Sequence, residues 1–136
     1  MQDYRHHDMA GLAALVAAGE VTPAELLDAA LARLDAVNPT LNAVVHDYRA
    51  IARERLENLP VGPLSGVPFL LKDMGAEAVD FPASHGSRLL ANTRFTMNST
   101  VYERLAASGL VVFGRTAAPE GGVGAATEAT VYGAPT

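Results

Sequence analysis

The stretch FLLKDM, residues 69–74, places a lysine directly after an apolar run. Lys72 is the only lysine in the chain, the other nine of its ten cationic side chains being arginine. A desolvated lysine can lose its proton and act as a base, whereas a guanidinium stays charged. The competing reading is structural: a short strand ends at Lys72, and the side chain snorkels to water. On the hexapeptide alone the structural reading carries more weight, because groups with perturbed chemistry are a minority.

Other residues with chemical potential form weaker patterns. Glycines 121, 122 and 124 suggest a dinucleotide loop, but the G-x-G-x-x-G spacing fails at Thr127 and the cluster does not directly follow a strand. No G-x-x-x-x-G-K-[ST] phosphate loop is present, so the glycines read as a bend. Histidines 6, 7, 46 and 85 lack metal-ligand spacing and read as surface or core residues. Asp73 and Glu77 are both carboxylates, but four residues of loop say nothing about their separation. Ser87 and Ser99 are nucleophiles in principle, and Ser99 reads more simply as a helix start.

Four helices and two strands must position these groups. Asp8 caps a first helix carrying Leu12, Leu15 and Val16 on one face, and Gly19 closes it. The second starts at Thr22, with Glu25 completing a capping box and Pro23 in the first turn. Its apolar face runs through Leu27, Leu31 and Leu34, with Leu26, Ala30 and Val37 beside them, and Asn38-Pro39 is expected to stop it. A third helix within residues 47–59 presents Tyr48, Ile51, Ala52 and Leu56. Its arginines and glutamates read as a solvated face.

After a Pro/Gly-rich stretch at 60–69, the runs 67–71 and 110–113 read as buried strands. Between them lies a fourth helical stretch over 100–108, with Thr100 and Glu103 as a second capping box and Gly109 beyond its end. Strand, crossover helix and strand are the grammar of a parallel α/β sheet. Residues 75–98 show no period, and a loop of this length in a compact domain is usually functional or misassigned.

Totals exclude several function classes. A chain of 136 residues, 49% hydrophobic and 18% charged, is globular and of one-domain size. A net charge of −5 without a basic cluster argues against nucleic acid. Zero cysteines exclude disulfides, a thiolate nucleophile and cysteine-ligated zinc. The start MQDYRHHDMA lacks the pattern of a secretory signal, and no apolar run has the roughly 20 residues of a membrane helix. The expected compartment is the cytoplasm. Pattern reading ends at a soluble α/β domain with an unusual buried lysine.

The order of the motifs goes further. GPLSGVPFLLKDM, then HGS, GLVVFGRTAAPE and GAATEATVYGAPT, closely resembles the front part of the amidase signature family. VTPAELLDAALARLDAVNPTLNAVV is similar to that family's N-terminal helical segment. The resemblance covers nearly the whole chain, and the LLKD wording looks nearest to standalone amidases that include cyclic amide hydrolases. It implies an α/β fold: N-terminal helices over about 8–58, then the first βαβ portion of a mixed sheet over about 60–136, all in one domain.

The same resemblance implies hydrolysis of small-molecule amides by a Ser–cis-Ser–Lys triad, without metal or organic cofactor. Lys72 matches the catalytic lysine, a neutral amine that takes a proton through the bridging serine from the nucleophilic one. Gly121 and Gly122 match a region beside the substrate, although a plain turn would also explain them. No membrane or nucleic-acid partner is implied, and a homo-oligomer of the full-length enzyme stays open. The departures matter as much. The family's serines lie in a GGSSGGS-type block, which does not occur in these 136 residues. Arg115-Thr116-Ala117 stands where the family usually has Lys-Thr-Asn, and Gly121 where an apolar residue is frequent. Two further readings stand: the amide-hydrolysing component of an amidotransferase built from several subunits, and a non-catalytic interaction domain.

Overall fold

Local sequence explains where the helices of the computed structural model begin; the model describes residues 4–133. Asp8 accepts a hydrogen bond from Gly11 N and starts α1 (Met9–Ala17). Thr22 and Glu25 form the expected reciprocal capping box at the head of α2 (Pro23–Leu41). Pro39 does not stop α2. The helix runs on to Leu41 and ends at Asn42, which adopts a left-handed conformation with φ 47°. Asn38 explains the extra turn, because its side chain both donates to Val44 O and accepts from Val44 N across the helix end.

β1 (Val44–Asp47) follows, a strand where the sequence shows only the connection between the second and third helices. Four residues between two helices are too few to show a period, so the strand reads as a linker until it finds a partner. α3 (Arg49–Arg55), β2 (Pro68–Lys72), α4 (Thr100–Ala107) and β3 (Val111–Thr116) are the other α-helices and strands among the described residues. α4 is capped by Ser99, which accepts from Tyr102 N, so the expected Thr100–Glu103 capping box gives way to a single N-cap one residue earlier. Gly109, at φ +90°, is the residue after the helix end, as expected.

The sheet has the order β1-β3-β2 and is mixed, as expected of the fold class. β2 and β3 are parallel and joined through α4, while β1 runs antiparallel to β3. The register shifts at Val44/His46, opposite Thr116 and Arg115, and at Phe69/Leu70, opposite Val112 and Gly114. A Cβ on Gly114 would lie 2.7 Å from His46 O.

β3 separates two apolar clusters. Val111 and Phe113 pack with Leu27, Leu31 and Leu34 of α2, and Val112 packs with Leu71, Phe81 and Tyr102. A third cluster joins Leu12 of α1 to Leu26, Val67 and Leu110. The alternating sides of β3 thus face α2 on one side and α4 with the 76–81 loop on the other.

Candidate active site

Lys72 is the last residue of β2, paired with Thr116 of β3. Its side chain is exposed, which corrects the expectation of a buried lysine. The apolar run before it is a strand whose inward residue is Leu71, 2% exposed, and alternation turns the next side chain out. Among the described residues Lys72 makes no ion pair, with Asp73 or any other carboxylate.

The backbone beneath Lys72 is tightly held. Arg115 is fully buried, and its guanidinium binds carbonyls rather than a carboxylate. Nε donates to Phe81 O at 3.0 Å, and Nη1 to Lys72 O at 2.6 Å and Gly75 O at 3.2 Å. Nη2 donates to Ala76 O at 3.0 Å and Phe81 O at 2.8 Å. These five bonds match the five N–H donors of a guanidinium. Burial pushes the Arg115 pKa down, opposed by Tyr48, Asp73 and Glu77. The long loop after Lys72 is therefore wrapped around one cation, which supplies the order that its sequence lacks.

Asp73 points the other way from Lys72 and has no exposure to solvent. Its carboxylate accepts from Ser84 N at 2.8 Å, Ser84 Oγ at 2.5 Å, Gly86 N at 3.3 Å and the Tyr132 hydroxyl. His46 Nε2 of β1 lies 3.0 Å from Asp73 Oδ1, an ion-pair distance without the alignment of a full hydrogen bond. Burial alone would raise the Asp73 pKa. The close His46 imidazole and the hydrogen bonds from Ser84 and Tyr132 outweigh it and hold the carboxyl well below its usual range. Burial, reinforced by the carboxylate, pushes the Tyr132 hydroxyl up to about 12.

Gly121 and Gly122 form a tight turn with φ +59° and +75°. Gly121 N donates to His85 O at 3.0 Å, so the turn lies against the loop that Asp73 anchors. A Cβ on Gly122 would meet Met74 Sδ at 2.6 Å, two residues beyond Lys72, whereas one on Gly121 would meet nothing within 4 Å. Of the serines singled out, Ser87 Oγ donates to Glu120 Oε1 at 2.9 Å, and Ser99 serves as the α4 cap. No cluster of His, Cys, Asp or Glu that could hold a metal occurs among the described residues. His46 faces a carboxylate and stacks on Tyr48 with ring centres 6.0 Å apart.

Sequence reasoning missed Arg115, Asp73 and Tyr132 as organising residues. One signal was available: Arg115 follows the apolar run LVVFG inside a strand, an unusual place for a solvated cation. Asp73 and Tyr132, by contrast, meet across 59 residues of chain, a separation no local pattern reports.

Comparison with known proteins agrees with this architecture. An amidase family profile, described as "Amidase", matches residues 25–136. A glutamyl-tRNA(Gln) amidotransferase chain of Chloroflexus aurantiacus is 36% identical, the match covering 97% of this chain and 28% of that protein. An acylamidase of Rhodococcus erythropolis is also 36% identical, over 90% of this chain and 27% of its own. Among solved structures, 6-aminohexanoate cyclic dimer hydrolase superposes with a TM-score of 0.88 at 34% identity, covering 95% of this chain and 27% of the hydrolase. The chain thus spans little more than a quarter of the length of these relatives.

Proposed function

Because the chain belongs to the amidase family, we propose that it supplies the N-terminal part of an enzyme hydrolysing a carboxamide or a linear or cyclic amide, with Lys72 as proton acceptor. In this reading the neutral amine takes a proton, through a bridging serine, from a nucleophilic serine. Attack on the amide carbonyl forms an acyl-enzyme, the amine leaves, and water releases the acid. Both serines and the donors that stabilise the oxyanion belong to a Gly/Ser-rich block that these 136 residues do not contain. Residues 8–58 and 60–136 act as two segments of one domain, with β1 the strand that the first lends to the sheet of the second. Gly121 and Gly122 border the amide substrate.

The observation carrying this proposal is the setting of Lys72. The chain's one lysine stands exposed at the carboxyl end of a parallel strand, on a backbone fixed by Thr116 pairing and by Arg115. Crevices at the carboxyl ends of parallel strands are the usual place for ligands in α/β sheets. A second reading, supported by the 36% identity to an amidotransferase chain, keeps the hydrolysis but passes ammonia to a partner protein. Co-purification with further subunits favours it, whereas turnover of simple amides by the isolated full-length protein favours the standalone enzyme.

The test is hydrolysis of a panel of amides by the full-length protein and its Lys72→Arg and Lys72→Ala variants. Both substitutions should lower kcat by about 100-fold or more, because both remove the proton acceptor. Substantial activity in Lys72→Arg, with an unchanged pH profile, would exclude the general-base role.

A further inference from the structure

Two charged side chains, Asp73 and Arg115, are fully buried among the described residues, and both act next to Lys72. Arg115 holds the Lys72 carbonyl, while Asp73 is the next residue in the chain. A buried ion gives little net stability over an apolar residue of the same size, but it demands a defined set of partners. Asp73 draws its partners from three separate places: His46 on β1, Ser84 and Gly86 in the long loop, and Tyr132 in the turn Thr130–Tyr132. The main chain of Tyr132 is held as well, its carbonyl accepting from Asn42 Nδ2 at 3.0 Å. The hydroxyl and the carbonyl of one residue are thus tied to the end of β2 and the end of α2.

Successive side chains of an extended backbone point in opposite directions. An inward anchor at position 73 therefore constrains the outward direction at position 72. We propose that Asp73 is a positioning residue for Lys72, its buried carboxylate fixing the direction of the lysine and, through Tyr132, the path of residues 129–133. The proposal rests on Lys72 being the base. Asp73 touches no substrate and transfers no proton. It acts by removing the freedom of the residue before it and of the segment that Tyr132 carries.

The experiment compares Asp73→Asn, Tyr132→Phe and Lys72→Ala in the full-length protein, reading kcat, KM and thermal midpoint for each. Tyr132→Phe removes one hydroxyl and keeps the ring, so it remains informative if Asp73→Asn does not fold. Positioning predicts that Tyr132→Phe lowers kcat about tenfold with KM changed less than about threefold, and that a folded Asp73→Asn loses more. A role confined to stability lowers the thermal midpoint and leaves kcat per folded molecule unchanged, which would overturn the proposal. A spectroscopic readout is independent of activity: tyrosinate absorbance in Asp73→Asn should show one tyrosine titrating at lower pH than in the wild type. An unchanged titration would equally overturn it. Activity surviving Lys72→Ala would refute the assignment of the base. Activity lost in Lys72→Ala but untouched in the other two variants would refute the positioning role alone.

Discussion

At the scale of single residues, the ionisation of Asp73 makes stability depend on pH. Its carboxyl is held below the ordinary range in the folded state, where burial opposes ionisation and the close His46 imidazole with the bonds from Ser84 and Tyr132 outweighs it. The stability it contributes is present above the unfolded carboxylate value of about 3.9 and is lost as pH falls towards the lower folded value. Denaturant midpoints of the wild type should therefore drop below about pH 5 more steeply than those of Asp73→Asn, which starts less stable at neutral pH. Parallel acid limbs for the two proteins would refute an ionised, bonded Asp73. Tyr132 acts at the opposite end of the scale. Its hydroxyl is raised to about 12, so its contribution is complete below about pH 10 and fades above it. Lys72 was legible at this scale because it is unique in the sequence and follows an apolar run. Its exposure was not, since that depends on which face of β2 the core covers.

At the scale of elements, caps were readable and partners were not. Thr22, Glu25 and Asp8 each act within three residues, so the sequence contains all of the geometry they need. The overrun of α2 past Pro39 and the existence of β1 depend instead on Asn38 and on pairing with β3, near the other end of the chain. Gly114 is where that pairing is most crowded. Gly114→Ala must push against His46 O and the Leu70 side chain, at 2.7 and 3.0 Å from the new Cβ. Equilibrium unfolding should show a loss of about 1–3 kcal/mol, and amide exchange in residues 44–47 should accelerate. A neutral substitution would mean that β1 is free to move aside. Arg115→Met should cost more, about 3–5 kcal/mol, because it leaves one buried and three part-buried carbonyls without their donor. Its exchange signature should concentrate in residues 72–81.

At the scale of the whole molecule, the sheet has three strands with β1 and β2 at its edges, and several large apolar side chains face solvent. Val61, Leu89, Met97 and Val123 are all largely exposed, Met97 at 73% the least of them. Open edges and exposed apolar groups favour association, so sedimentation of the 136-residue chain should show a mass that rises with concentration. A clean monomer with one sharp unfolding transition would instead indicate a self-sufficient domain. On the proposed mechanism the same chain should hydrolyse no amide above background, since it lacks the Gly/Ser-rich block that would supply the serines. Turnover that Lys72→Ala abolishes would contradict this and make Ser87 the first nucleophile to substitute.

The order of the four helices and of β2 and β3, the starts of α1 and α2, the parallel unit around α4 and the family resemblance were all determined by sequence, because each depends on neighbours in the chain or on motif order. Tertiary structure alone decided the third strand, the outward turn of Lys72 and the two buried charges that hold its surroundings. Arg115 reaches carbonyls up to 43 residues away, and Asp73 a hydroxyl 59 residues away. Such contacts exist only after β2 and β3 have paired, when the long loop closes around a cation whose five donors have no water to turn to.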